Sequence, residues 1–391
     1  MYNDWTSKKD SRQSTGVLSY DFSAAFDTLN GSFLCQKLSI YGFTNSAILL
    51  IKSFLTGRYQ FVEVNGFRSS LVAICTGSPQ GSCLSPVLFI IYTSDINLWM
   101  RNTILTLYAD DIYQWTSDIS INEIILALER DSKMIIKFAS SNKLILNPHK
   151  THFIIFRHSL SDHHQRTIIV GNEIIHESAE IKILGLTINN ELNWKRHLDL
   201  LTNSLRSRLF LLRKLSRNIP RRCLISILDG FFLSRIRYGL AVYGQPSPLS
   251  DSTQLKRLQT LMNAAMRIAT GTRISDKIRI SKLLEETKLT NVNQSCLLAI
   301  TLTTRSIIEH NIIPELKSAL TKARVENRQI TTRSQTRKDL VPQPSKFVRC
   351  RSFSYFAAQL WNKLPTQLRN GHLSNATFKK EAKAFIKKLI I

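Results

Sequence analysis

The chain has 391 residues, 43% of them hydrophobic and 21% charged, and a formal net charge of +25 at pH 7. At about 150 residues per domain this length gives two or three globular domains, and the composition excludes wholesale disorder. The charge calls for a polyanionic partner, and a membrane is the weaker candidate: the N-terminus MYNDWTSKKD lacks a signal-peptide core, and the longest apolar run, Cys83 to Tyr92, is broken by Ser85 and Pro86, short of the roughly 20 residues a spanning helix needs.

In chain order, Val17 to Phe22 (VLSYDF) predicts a short buried strand entering a turn. Leu34 to Leu55 has helical spacing broken at Gly42 and again near Gly57. Phe61 to Val64 and Leu71 to Ile74 alternate like hairpin strands around Asn65-Gly66, a strong turn signal. Gly77 to Gly81 is a Gly/Ser/Pro-rich loop, and Pro86 to Trp99 reads as a helix capped by Ser85. Ile104 to Tyr108 and Ile112 to Trp115 mirror one another around Ala109-Asp110-Asp111, as in a hairpin with two acids at its tip. Ile121 to Asn142 is an amphipathic helix. Leu144 to Leu146, Phe153 to Phe156, Thr167 to Val170 and Lys182 to Ile188 are strand candidates. From Trp194 the chain turns helical, with leucines at 198, 201, 205, 209, 212 and 215. Further helices are expected at Arg221–Tyr238, Gln254–Ala269, Asn291–His310 and Phe353–Asn362, with a polar, basic linker near 324–343.

Charge is unevenly placed. Residues 1–160 hold 14 Lys/Arg and 12 Asp/Glu, a net of +2; residues 161–391 hold 39 and 16, a net of +23. A nearly neutral body carrying carboxylates thus precedes a basic half suited to a phosphate backbone. The six cysteines are isolated and form no CxxC pair, so a zinc ribbon is not supported. The histidines at 149, 152, 158, 163 and 164 have no acidic or cysteine partner at ligand spacing.

Two acidic clusters stand out: Asp21-Phe-Ser-Ala-Ala-Phe-Asp27 after a buried strand, and Tyr108-Ala-Asp110-Asp111 at the hairpin tip. Grouped acids beside apolar strands repel one another, and a divalent cation relieves that repulsion. Mg²⁺ prefers a few carboxylates plus substrate phosphates. Between the clusters lies Gly77-Ser-Pro-Gln-Gly-Ser-Cys-Leu-Ser-Pro86, whose glycines permit close backbone approach and whose Gln80 offers a donor and an acceptor.

In this order, DFSAAFD, GSPQGSCLSPVLF and YADD resemble motifs A, B and C of reverse transcriptases, most closely the non-LTR (LINE-type, jockey-like) retrotransposon enzymes. Asn142 to Thr151 resembles motif D and Ile183-Leu-Gly-Leu186 motif E. Arg235 to Gly239, Leu258 to Gly271 and Ser352 to Pro365 resemble the recurring C-terminal region of that family. The resemblance implies an α+β polymerase palm with partial fingers over 1–190. A basic helical thumb over 191–290 and a C-terminal helical module over 291–391 follow.

It further implies an RNA-directed DNA polymerase working on an RNA template, a DNA primer or target and dNTPs, with two Mg²⁺ ions, or Mn²⁺ as a substitute. By the family pattern Asp21, Asp110 and Asp111 bind these ions. Phe26 occupies the steric-gate position, with core packing as its alternative role. Asp27 is expected to be structural. Gln80 and Gly81 line the nucleotide pocket, and Tyr108 lies near the primer end. Lys150 is the motif D lysine, with Lys143 the competing candidate. Leu184 and Gly185 form the primer grip. Lys195, Arg196, Arg206 and Arg213 lie along the duplex backbone, or on a merely solvated face. A nuclear or cytoplasmic ribonucleoprotein, neither secreted nor membrane-bound, is the expected setting. Motif A begins about twenty residues from Met1, where the family has a fingers region, so the chain is expected to be N-terminally truncated. The alternative is a catalytically inactive nucleic-acid-binding remnant.

Overall fold

The computed structural model describes residues 1–159, 164–244, 252–321, 339–341, 352–370 and 373–389. They form two compact units, one of residues 1 and 11–181, the other of residues 2–10 and 182–391. The first unit ends at Ile181 rather than near 190, and the helix Tyr2–Asp10 belongs to the second. Most of the expected 324–343 linker, with Cys350 and His163, lies outside the described residues.

The first unit is built on a four-stranded antiparallel sheet. Its strands, numbered in chain order, are β1 (Ser14–Asp21), β2 (Ile104–Tyr108), β3 (Asp111–Asp118) and β4 (His152–Phe156), in spatial order β2-β3-β1-β4. β1 has a neighbour on each side and is buried from Ser14 through Tyr20, which explains a sequence apolar on both faces rather than alternating. The helix Ile121–Ser141 packs across the sheet through Ile124, Leu128, Ile135 and Phe138. It passes so close to β1 that a Cβ on Gly16 would lie 2.4 Å from the Ile124 side chain. The helices Gly31–Ile40, Asn45–Leu55 and Ser85–Thr93 complete the core, the first two capped by the Asn30 and Thr44 side chains.

Several local expectations shift. Asn65-Gly66 does turn a hairpin, but it joins Glu63–Val64 to Phe67–Arg68, and Val72–Ile74 pairs instead with Arg58–Gln60. Ser85 is the first residue of its helix; its hydroxyl donates back to the Pro79 carbonyl at 2.7 Å and caps nothing. That helix gives way at Ser94 to a 3₁₀ turn ending at Trp99. Leu144 to Leu146 forms only a single bridge, Phe22 to Leu146. Lys182 to Ile188 is two strands, Glu180–Ile183 and Leu186–Asn189, because Leu184 (φ 47°) and Gly185 (φ 79°) turn the chain in the left-handed region.

Apart from the short strands at its start, the second unit is helical. Its helix Lys195–Leu215 buries Leu198, Leu201, Leu205, Leu209 and Leu212, as the leucine spacing predicts. Tyr2 of the first helix stacks against Trp194 with ring centroids 5.0 Å apart. Arg221–Arg237 is one helical stretch with a π-helical turn at Leu228–Leu233. Two cores follow one another, the first running from Leu198 to Cys296 and the second from Ile300 to Ala382. Among the described residues no helix is long and apolar enough to cross a membrane.

A buried polar network ties the sheet of the first unit to its helix. Asp131, 2% exposed, accepts hydrogen bonds from the backbone N–H of Arg101, Asn102 and Thr103 and from the Asn102 and Thr103 side chains. It thereby fixes the turn that feeds β2. Gln114 of β3 accepts from the Tyr20 hydroxyl at 2.5 Å and donates to Thr103 Oγ1 and the Leu128 carbonyl. Burial by itself would raise the Asp131 pKa; the bonds from Asn102, Thr103 and Arg101 outweigh it and hold the carboxyl below its ordinary value. A depressed carboxylate stabilises the fold above the unfolded-state pKa and loses that contribution as pH falls through the folded value. Asp131→Ala is therefore expected to destabilise the first unit by roughly 3 kcal/mol at pH 7, since it removes the one buried carboxylate that accepts all five of these hydrogen bonds. In urea unfolding from pH 7 to pH 3 the gap from wild type should stay constant down to about pH 5 and narrow below about pH 4. A gap independent of pH would refute the ionised-Asp131 account.

Candidate active site

The register of the sheet brings the two acidic clusters together. Asp21, the last residue of β1, is paired with Asp111, the first residue of β3, and Asp111 is paired on its other side with Tyr108. Directly paired residues present their side chains on the same face of a sheet. Asp110 lies in the two-residue turn between Tyr108 and Asp111, entered through Ala109 at a left-handed φ of 52°. Only Asp110 thus occupies the hairpin tip; Asp111 is within the ladder.

The charges of this group interact. The Asp111 pKa is raised, first by burial and then by the negative charges of Asp110 and Asp21, against the lowering effect of the Tyr113 hydroxyl, which donates to Asp111 Oδ2 at 3.2 Å. Lys150 Nζ lies 2.6 Å from Asp21 Oδ2, and this bond, reinforced by the charges of Asp21 and Asp110, raises the lysine pKa. Lys150 is held there by its backbone: Asn147 N–H donates to the Asp21 carbonyl at 2.9 Å, and Lys150 N–H to the Asn147 carbonyl at 3.2 Å. Lys143 instead sits over the Phe33 ring. Among the described residues no three His, Cys, Asp or Glu side chains are grouped tightly enough to hold a metal ion by themselves.

The Gly77–Gly81 loop is fastened to the turn after β1. Gly77 N–H donates to the Leu29 carbonyl and Ser78 N–H to the Phe26 carbonyl, both at 2.8 Å. The approach leaves no room at Gly77: at φ 79°, a Cβ there would lie 2.8 Å from Asp27 backbone atoms. Gln80 Nε2 donates to both carboxylate oxygens of Asp27, at 3.0 and 3.3 Å. An ionised carboxylate only accepts, so the amide –NH₂ must face Asp27, which leaves the Gln80 carbonyl oxygen as the outward-facing acceptor. Phe26, half-buried, packs on Phe89 with ring centroids 5.1 Å apart. Gly81 has φ 82° and open space around it.

Arg58 is a residue that sequence reading missed. Its guanidinium donates to the carbonyls of Leu55, Thr76 and Gly77, at 3.0, 3.0 and 2.6 Å, and clamps the loop from behind. No local pattern marks it, because two of its three targets, the Thr76 and Gly77 carbonyls, are 18 and 19 positions away. The bond from Gln80 to Asp27 was equally invisible, although Asp27 itself was expected to be structural.

The structure therefore gathers Asp21, Asp110, Asp111, Tyr108 and Lys150 in one group, and Phe26, Gln80 and Gly81 around the loop fastened beside β1. The other expected residues belong to the second unit. There the Leu184 carbonyl accepts from the Tyr238 hydroxyl at 2.5 Å, beside Gly185. Lys195, Arg196, Arg206 and Arg213 are exposed on the helix Lys195–Leu215. By their spacing Lys195, Arg206 and Arg213 share one stripe, with Arg196 about a quarter-turn away.

Residues 3–188 match the family described as reverse transcriptase (RNA-dependent DNA polymerase). The RNA-directed DNA polymerase from mobile element jockey of Drosophila melanogaster is 25% identical over 261 residues, which is 64% of this chain and 28% of that protein. The probable RNA-directed DNA polymerase from transposon BS of the same species is 26% identical over 275 residues, 67% of this chain and 29% of that protein. The chain thus spans under a third of the length of these relatives. Among solved structures, apo telomerase from Candida tropicalis is similar over 80% of this chain and 54% of its own, with 13% identity and a TM-score of 0.41. Residues 3–188, which hold the paired acids, the fastened loop and Lys150, are a reverse transcriptase domain, homologous to the RNA-directed DNA polymerases of jockey-like non-LTR mobile elements.

Proposed function

We propose that this domain adds deoxynucleotides to a primer 3′-hydroxyl on an RNA template, with two Mg²⁺ ions held by Asp21, Asp110 and Asp111. The observation that carries the reading is the direct pairing of Asp21 with Asp111 beside Asp110. The donor set fits a divalent cation: Asp21 and Asp111 are directly paired with Asp110 next in the chain, and the Asp111 pKa is raised first by burial and then by the charges of Asp110 and Asp21. An ion there would take its remaining ligands from substrate phosphates. When bound, such ions lower the pKa of the attacking hydroxyl and neutralise the leaving pyrophosphate.

The chain's own groups supply the rest. Lys150 carries its proton into the site on a side chain that is 64% exposed, and it serves as counter-charge and proton donor to the departing pyrophosphate. The Phe26 ring, braced by Phe89, stands where a ribose 2′-hydroxyl would clash. The Gln80 carbonyl oxygen, fixed by Asp27, accepts a hydrogen bond from the incoming sugar. Tyr108 supports the primer end, and Gly81 gives the loop room for close approach. In the second unit, Leu184 and Gly185 grip the primer strand, while Lys195, Arg196, Arg206 and Arg213 contact phosphates along the template–primer duplex. RNA, DNA primer and dNTPs are then the partners, and a ribonucleoprotein is the cellular form.

Asp110→Asn should abolish Mg²⁺-dependent dTTP incorporation on poly(rA)/oligo(dT), a loss of at least about 10³-fold. Salt-sensitive binding without extension in the wild-type chain would favour the inactive nucleic-acid-binding remnant instead. Phe26→Val should raise ribonucleotide incorporation at least tenfold relative to deoxynucleotide incorporation, measured by competing the two. An unchanged ratio would assign Phe26 to packing alone. Asp27→Ala frees the Gln80 amide and should raise the KM for dTTP severalfold with kcat within about twofold, in steady-state extension assays. An equal loss in kcat alone would contradict a positioning role for Asp27.

A further inference from the structure

The second unit contains a cavity of about 710 Å³, within the roughly 300–1,000 Å³ range of ligand pockets. It lies between the helical stretch that ends at Arg237, the segment Thr287–Thr290, the helix Val292–His310 and the helix Asn375–Leu389. Leu240, Leu289, Leu298 and Leu302 give it an apolar floor. Arg237, Lys288, Lys379 and Lys383 stand around it against one lining carboxylate, Asp229. Asp229 is already paired with Arg237, at 2.8 Å.

This positive charge is only partly balanced, by Asp229. Lys379 and Lys383 are one helical turn apart and project together. Among the described residues neither has a carboxylate within ion-pair distance. The Lys383 ammonium spends one donor on the Lys288 carbonyl, at 3.0 Å, and keeps two. Its pKa is pushed down by burial and then by the cations Lys387, Arg237 and Lys379, and the negative charge of Asp229 offsets only part of this. A bound anion would relieve that crowding.

We propose that this cavity binds single-stranded nucleic acid, with phosphates on Lys379, Lys383 and Arg237 and an unstacked base on the leucine floor. Free phosphate would answer the cations but leave the floor uncovered. A duplex keeps its base faces inside the stack and has none to turn into a concavity. An unpaired nucleotide offers both anionic and apolar surface. The site is built from residues outside the catalytic group and from sequence positions far apart, so no motif announces it.

The test uses the full chain without metal or dNTP, so it does not depend on polymerase activity, and an inactive polymerase that binds would still support the site. Fluorescence anisotropy with a labelled 20-nucleotide oligo(U) and a blunt duplex of equal length is measured across KCl concentrations. Lys379→Gln/Lys383→Gln should weaken oligo(U) binding about tenfold at 150 mM KCl. It should lower the salt slope by about 1.4, the value for two single-strand phosphates. Duplex binding should change less than twofold. Lys133→Gln/Lys137→Gln, which removes the same charge from the first unit, should change either affinity less than twofold. Equal losses in the two double variants, or equal losses for strand and duplex, overturn the proposal. So does phosphatidylserine-vesicle binding lost with Lys379 and Lys383 while oligo(U) binding stays intact. A second measurement needs no variant: 4-thiouridine oligo(U) irradiated on the wild-type chain should crosslink to peptides containing Leu298, Leu302 or Lys379–Lys383. Crosslinks confined to other peptides overturn it as well.

Discussion

The antiparallel pairing of β1 with β3 is the constraint on which the first unit depends. It runs from Ser14 opposite Asp118 to Asp21 opposite Asp111, with no interruption. Because side chains alternate along a strand, a slip of one residue would turn Asp21 and Asp111 onto opposite faces and expose half of the core. Burial of β1 on both sides makes that slip prohibitive. The same ladder that stabilises the unit therefore specifies where the two carboxylates stand, and the acids need no stabilising contact of their own to be held together.

The site is a set of like charges that the fold forces into proximity and then supports from beneath. Behind the sheet, Asp131 and Gln114 satisfy a string of buried donors and hold the entry to β2, whose far end carries Tyr108 and the Asp110 turn. Beside it, the chain after the long helix returns through Asn147 to the Asp21 carbonyl and delivers Lys150 as a close counter-charge. On the other flank, Arg58 and Asp27 remove freedom from the Gly77–Gly81 loop, one by holding its carbonyls and the other by fixing the Gln80 amide.

Much of this was legible in the chain. The long amphipathic helices at 121–141 and 195–215, the strands at 104–108 and 152–156, the Val17–Asp21 part of β1, and the acids themselves follow from periodicity and local chemistry. Short elements were less legible. Phe61 to Ile74 alternates well enough for one hairpin, yet it breaks into two pairings, because only two residues on either side of Asn65-Gly66 join that ladder. Lys182 to Ile188 reads as one strand because its apolar pattern runs straight through a turn, which Leu184 and Gly185 make at positive φ.

Local pattern marks the residues able to do chemistry, the segments able to form helix or strand, and the later half as the seat of the positive charge. Tertiary structure alone decided which of those residues meet. Lys150 reaches Asp21 across 129 positions and Gln80 reaches Asp27 across 53. The basic cavity likewise joins Arg237 and Lys288 to lysines of the last helix. The physical reason is that local pattern encodes the face a side chain takes. The partner it finds there is set by strand register and by the packing of distant elements, which depend on the whole chain closing at once.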